Sequence, residues 1–332
     1  MNSLKDMTFP VDYHPTWDIH DASKITAFMR CPRKYFYRYV LGWSIDIPNK
    51  HLVFGEAWHR AMDHVLKNVL SAASINEAHE KFTEYYRRHF DAGDDILNAP
   101  KSVEGALLAL VEYSTKYKND DFEIIHTEVA GSVPIAEGYK PLHFRIDSIL
   151  KNSAGQYLSM DHKTSSAMTG TWGDQWLLSM QMCLYSHVLF CQYNPEDVYG
   201  MIVNGVFLRK TKPKNSETVN GFLRVPVRKT VDQMQAWLWT VIHWLDHIQW
   251  NYEELAESKD SDDVLMAFPM NSNACVDFGR VCQYHPFCTA WSNPLQRAQQ
   301  PPPGLDHVWW NPADKEKEVD TVVHIESSDY NK

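Results

Sequence analysis

The sequence predicts a mixed α/β fold: a sheet core flanked by helices, with a helical extension at the N-terminal side. Two observations carry this. Apolar residues recur at helical spacing through most of the first 118 residues, and from residue 122 the pattern switches to β-branched alternation at period two. The later segments then interleave strands with long helices, an order that builds helices onto a sheet rather than a bundle or a sandwich. The chain has 332 residues, 44% hydrophobic and 13% aromatic, enough for one large domain or two modest ones with a proper core.

Each element follows from its own stretch. Residues 1–20 read as irregular, and Ser23 as the N-cap of a helix "KITAFMRC" with Ile25, Phe28 and Met29 on one face. Pro32 marks a junction before the basic, aromatic run "RKYFYRYVLGW". Residues 52–70, 76–92 and 102–118 read as helices. "FEIIHTEVAGSVPI", "LHFRIDSILKN" and "GQYLSMDHKTS" alternate as three strands, the last two joined by a turn at Asn152–Gly155. "DQWLLSMQMCLYSHVLFCQY" reads as a strongly amphipathic helix and "VYGMIVNGVFLRK" as a fourth strand. "GFLRVPVRK" reads as a fifth strand at an edge, because Pro226 has no N–H for a central ladder. A tryptophan-rich helix follows over about 230–256, its tryptophans Trp237, Trp239, Trp244 and Trp250 read as core rather than a stacking row. These signals divide the chain into an N-terminal helical segment (1–50), a core with a helical insertion (51–257), a cysteine-bearing segment (258–291) and a polar, proline-rich tail (292–332) expected to be mobile or to dock a partner.

The formal net charge is −10, from 32 basic and 42 acidic residues. That argues against a chain that coats nucleic acid non-specifically, but not against an enzyme that grips it in one groove. Twelve tryptophans and sixteen tyrosines argue against disorder over most of the length. No secretion signal and no uninterrupted apolar stretch of about 18 residues is visible, so the expectation is a soluble cytoplasmic protein, in the host cytoplasm if viral, with no membrane contact. Its six cysteines should then be thiols or metal ligands, not a disulfide framework.

Chemistry concentrates around Asp161 and Lys163. Asp147 lies among alternating apolar residues on one strand, and Asp161 near the end of the next. Carboxylates side by side repel, and a hard divalent cation resolves the repulsion. Lys163 is two residues from Asp161, so both side chains leave the same face of the strand. Two carboxylates, a cation and a lysine are the parts for phosphodiester hydrolysis: the metal acidifies a water and the lysine orients it or meets the developing charge. Glu128 is a further acidic candidate, and His59 could add an imidazole ligand. The run Arg30, Arg33, Lys34 and Arg38, interleaved with Tyr35, Phe36, Tyr37 and Tyr39, suits a DNA track, as does "RKTKPK"; a solvated face is the alternative for both.

These residues resemble the PD-(D/E)xK nuclease superfamily, specifically its RecB-type branch, which includes phage exonucleases and CRISPR-adaptation nucleases. The resemblance runs in order from about residue 23 to 288: "SKITAFMRCPRKYFYRY", Gly55-x-x-x-His59, Asp147, Asp161-x-Lys163 and Gln181-x-x-x-Tyr185. It implies a restriction-endonuclease-like core. Asp147, Asp161, His59 and the backbone carbonyl of His162 would be ligands to Mg²⁺ or Mn²⁺, Lys163 would be catalytic, and Gln181 and Tyr185 would contact DNA or order the site. Two departures stand out: Phe144 replaces a frequent glycine, and His162 replaces the usual aromatic or aliphatic residue between Asp161 and Lys163.

Cys275, Cys282 and Cys288 are spaced C-x6-C-x5-C, three ligands of a four-ligand site, with Cys31 as the fourth candidate. Such a site could hold a [4Fe–4S] cluster or zinc, with His285 a possible zinc ligand. The resemblance favours iron–sulfur, although its usual first gap is C-x2-C. Cys183 and Cys191 read as core thiols. The expected activity is metal-dependent hydrolysis of DNA, single-stranded or at duplex ends, by an exonuclease of recombination, repair or phage DNA processing. A helicase, recombinase or single-strand-binding protein would be its partner. The alternatives are an inactive DNA-binding member, or a zinc-stabilised adaptor that recruits a helicase or recombinase through "PPPGLDHVWW".

Overall fold

Period-two alternation from residue 123 builds one mixed sheet. In the computed structural model, which describes residues 3–45, 47–210, 218–277, 279–327 and 330, β1 (Glu123–Val133), β2 (Leu142–Lys151) and β3 (Tyr157–Ser165) run as an antiparallel meander. β4 (Val198–Lys210) lies parallel to β3, and β5 (Thr218–Val227) returns antiparallel to it at the sheet edge. Pro226 is accommodated there, as expected of an edge. β6 (Thr321–His324) adds parallel to β1, giving the order β6-β1-β2-β3-β4-β5, and the short strand His20–Asp21 pairs with the start of β2. Parallel strands need a crossover, and the helix α5 (Met180–Gln192) supplies it between β3 and β4.

Helices cover both faces of the sheet. They are α1 (Ala22–Arg30), α2 (Lys50–Lys67), α3 (Ala72–Tyr86), α4 (Val103–Lys116), α5 and α6 (Val231–Glu257). The alternation of β4 assigns the faces: Val206 and Leu208 pack with Phe54, Trp58, Phe82 and Leu110 of α2–α4, while Val203 and Phe207 join the cluster containing α1, α5 and α6. The helices at 50–116 are therefore one layer of a three-layer domain, and the whole is a restriction-endonuclease-like α/β core. No helix among the described residues is long and apolar enough to cross a membrane.

Several expectations are corrected. Asp21, not Ser23, caps α1, accepting from the Lys24 backbone N–H at 2.8 Å. α5 is buried on nearly all sides, from Met182 through Phe190, because it is sandwiched rather than laid on the surface. The basic aromatic run near residue 35 is structural: Tyr35, Phe36 and Tyr37 are fully buried, and Arg33 donates to the carbonyls of Leu265 and Phe268. Trp237 and Trp244 belong to the core, but Trp239 and Trp250 face solvent. In "RKTKPK", residues 211–214 lie outside the described residues.

The expected mobile tail is packed. Trp309 covers Gly42 and stacks on His14 at 3.8 Å, Trp310 donates to Asp21 at 3.0 Å, and β6 extends the sheet. Gly131 makes that last pairing possible, since a Cβ there would stand 1.7 Å from the Val323 carbonyl oxygen.

Candidate active site

The site forms where β2 and β3 part. Their ladder holds from Ile149–Ser159 to Lys151–Tyr157 and is absent beyond Ser159. Beyond Ser159 the β2 side of β3 loses its ladder: the Met160 carbonyl accepts from the Ser148 hydroxyl instead, at 3.1 Å. There the His162 N–H donates to Asp147 Oδ2 at 2.8 Å. In extended chain the N–H and C=O of one residue point to the same edge, so the His162 carbonyl also faces this gap.

Asp147, Asp161, Lys163, Gln181, Tyr185 and His59 line one cavity of about 220 Å³. Lys163 Nζ donates to Asp161 Oδ1 at 3.1 Å and to Gln181 Oε1 at 3.0 Å, and Gln181 Nε2 donates to the Tyr185 hydroxyl at 2.8 Å. Gln181 is thus held at both ends of its amide, one turn of α5 from Tyr185. His59, one turn along α2 from Gly55, places Nδ1 2.9 Å from Asp147 Oδ2.

The electrostatics are those of a buried anionic site. Asp161 is 1% exposed, and burial pushes its carboxyl up while Lys163 opposes the shift. Asp147 is held low by the His59 imidazole and its hydrogen bond, against its own burial. Burial alone would lower His59, but Asp147, aided by Asp161, raises it to about 9. His162 points to the opposite face. Its ring is neutral, pushed down by burial to about 3, with Nδ1 2.9 Å from the Asn204 amide and Nε2 buried without a partner.

Among the described residues, no three His, Cys, Asp or Glu side chains converge as placed into a metal-holding group. The donor chemistry nevertheless fits a hard cation. Asp161 Oδ2 is buried and makes no hydrogen bond, although Lys163 Nζ stands 2.8 Å from it. The protonated His59 occupies Asp147 as a cation would.

Glu128 does not line this cavity, yet it lies close enough that burial and the Asp147 charge push its carboxyl up; it sits on β1 with φ +50° and is engaged by Arg145 at 2.8 Å. Arg145 itself lines the cavity and also pairs with Glu56 at 3.4 Å and Glu318 at 3.1 Å. Sequence reasoning missed Arg145, although it stands two residues from Asp147 and shares its strand face. It also missed Trp310, Pro312 and Lys315, which form part of the cavity wall and have no local signal.

Cys31, Cys275, Cys282 and Cys288 line a second, small cavity together with His285. All four are free thiols. Burial pushes Cys288 up to about 11, with Arg33 opposing and the other three sulfurs adding to the rise. Four thiols around one small cavity have the composition of a thiolate donor set, although as placed no three of them converge into a metal-holding group.

A family model described as the PD-(D/E)XK nuclease superfamily matches residues 22–289. Among solved structures, a candidate exonuclease from Eubacterium rectale is 12% identical, with 73% of this chain and 82% of that chain covered and a TM-score of 0.41. SSO0001 is 14% identical over 61% of this chain and 91% of that one, with a TM-score of 0.23. No curated protein matches the chain.

Proposed function

The chain belongs to the PD-(D/E)XK nuclease superfamily, and from that premise we propose that it is a divalent-metal-dependent deoxyribonuclease of the RecB-type branch. It would trim DNA ends as an exonuclease in recombination, repair or phage DNA processing. The observation that carries this reading is the meeting of Asp147, Asp161, Lys163 and Gln181 on one cavity where β2 and β3 part.

Asp147, Asp161, the His162 carbonyl and His59, once deprotonated, would hold Mg²⁺ or Mn²⁺, which when bound supplies an acidified water and neutralises phosphate charge. The chain's own groups do the rest. Hydrolysis forms a bond from the water oxygen to phosphorus, breaks the bond to the leaving sugar oxygen, and returns a proton to that oxygen. Lys163, fixed by Gln181, presents its ammonium to the charge that develops on the phosphoryl oxygens. Asp161 would take the proton from the water, since His59 beside Asp147 already carries one or, having lost it, is a ligand. Tyr185 holds the Gln181 amide, so the lysine is oriented without a flexible link.

The four cysteines would hold a [4Fe–4S] cluster or one zinc, and either would act as a clasp. Cys31 ends α1 and the other three lie some 240 residues later, so the site closes a very long loop. The adaptor reading has less support, because the Trp309–Trp310 pair that would recruit a helicase or recombinase is used inside the chain.

The test is cleavage of end-labelled single- and double-stranded DNA in Mg²⁺, Mn²⁺ or EDTA, by protein prepared anaerobically. Metal-dependent cleavage that disappears in Asp161→Ala and Lys163→Ala is expected, and the product ladder gives polarity. A folded wild type that cuts no DNA end or strand refutes the reading.

A further inference from the structure

The catalytic cavity continues along two helices into a second groove that the hydrolytic chemistry does not use. Ala22 and Ser23 of α1 line the cavity, and Thr26 and Met29, one and two turns further on, line the groove. Gln181 and Tyr185 of α5 line the cavity, and Met180 and Cys183 line the groove. The two spaces are therefore neighbours along the same pair of helices. The groove measures about 660 Å³, and its walls are mostly apolar, with Trp176, Leu178 and Trp237 prominent.

Three features identify what could occupy it. Leu178 is 85% exposed and Met29 38%, so apolar surface is held open to solvent at the lip. Among the described residues the lining holds one cation, Lys229, and no carboxylate, in a chain with 42 acidic residues. Trp176 joins the groove to the chemistry: its ring lies 5.8 Å from Lys163 Nζ, and its Nε1–H is buried without a partner.

The tryptophan is also rigidly placed. Its ring meets Trp172 edge-to-face at 5.4 Å. Trp172 in turn lies on Gly205 of β4, where a Cβ would stand 2.4 Å from the indole. A fixed aromatic plate beside the catalytic lysine, opening into an apolar groove without negative charge, suits base faces followed by a backbone phosphate. Only unpaired bases offer such faces, since a duplex presents phosphates, sugars and base edges. From Ser23 to Met29, α1 rises ~9 Å, room for about three stacked nucleotides at ~3.4 Å each.

We propose that this groove is a docking site for the unpaired bases of the strand being cut, with Trp176 as the stacking platform next to the scissile phosphate. The inference rests on the nuclease reading and gives it a substrate class: single strands and frayed ends over blunt duplex.

Two measurements keep the ideas separable. The first is equilibrium binding of a fluorescent thymidine oligonucleotide in Ca²⁺, comparing wild type with Trp176→Ala and with Leu178→Glu, whose exposed site leaves folding intact. Stacking on an aromatic is worth ~1–3 kcal/mol per base, so Trp176→Ala should weaken binding about 5- to 140-fold, and Leu178→Glu, which sets a carboxylate against the backbone phosphates, should also weaken it. Wild-type affinity in both variants overturns the groove proposal, whatever the cleavage assay gives, and leaves a protein partner as the better occupant. The second is turnover of thymidine 5′-(p-nitrophenyl phosphate), too small to need the groove. In Leu178→Glu, single-stranded DNA cleavage should fall by a larger factor than this turnover does, and equal losses on both substrates overturn the groove's role. A wild type that binds the oligonucleotide through the groove but cleaves neither substrate would remove the nuclease reading alone.

Discussion

Replacing His59 by glutamine should remove a stabilisation that depends on pH with a defined sign. The imidazole stands 2.9 Å from Asp147, and the nearby carboxylates lift it from 6.5 to about 9 despite its burial. That shift of about 2.5 units corresponds to roughly 3 kcal/mol at ~1.36 kcal/mol per unit. Between these two values the folded protein holds a proton that the unfolded chain has released. The contribution is therefore complete below about pH 6.5 and is lost as pH rises through about 9. Two buried lysines act oppositely in the same window. Burial lowers Lys24 to about 7 and Lys101 to about 8, so their terms favour folding more as pH rises. The wild-type curve sums all three, but the difference between wild type and His59→Gln cancels the lysines. Urea unfolding in EDTA at about pH 6, 7.5 and 9.5 should show that difference shrinking by roughly 3 kcal/mol across the series. A difference that is flat, or that grows with pH, refutes the ion pair. With saturating Mn²⁺ the trend should reverse, because a metal ligand must give up its proton.

Gly205→Ala should destabilise by about 1–3 kcal/mol through overpacking against Trp172, read as a lower urea midpoint, and should also weaken oligonucleotide binding by displacing Trp176. Cys31→Ser should abolish the metal content of the purified protein, expected by elemental analysis at about four iron or one zinc per chain; unchanged content would remove Cys31 from the ligand set. Gly131→Ala should expel β6 from the sheet edge, since the Val323 carbonyl occupies the Cβ position. Limited proteolysis should then cut the chain after residue 305 faster than in wild type, and protection equal to wild type would show that β6 is not held by this pairing.

Much of the fold was legible because it is written at short range. Period-two alternation set β1 to β4, Pro226 marked β5 as an edge, and helical spacing marked α2, α4 and α6 to within a few residues. The errors arose where a distant neighbour decides. The run at Tyr35–Tyr37 looks like a stacking track until Phe268, Tyr284 and Phe287 pack against it. The tail composition reads as mobile because proline and charge say nothing about a strand partner some 190 residues away. Glu128 lies beside Asp147 and feels its charge, but its carboxylate hydrogen-bonds Arg145, a partner that side-chain geometry rather than spacing selects.

The sequence by itself determined which residue types are available to the chemistry. Spacing puts Asp161 and Lys163 on one face of β3, His59 one turn from Gly55, and Gln181 one turn from Tyr185, because strand and helix periods are fixed by the backbone. Only the tertiary structure decided that these pairs share a cavity. That required the β2–β3 ladder to end after Ser159, freeing the edge of the His162 peptide from it, and it required α5 to be buried against the sheet so that Gln181 reaches Lys163. It also decided what lies beside them. Trp176, Leu178 and Met29 carry no motif and lie up to 149 positions apart in sequence, from 29 to 178. Their groove exists only because packing brings α1, α5 and α6 together, and no local rule of spacing reaches across that distance.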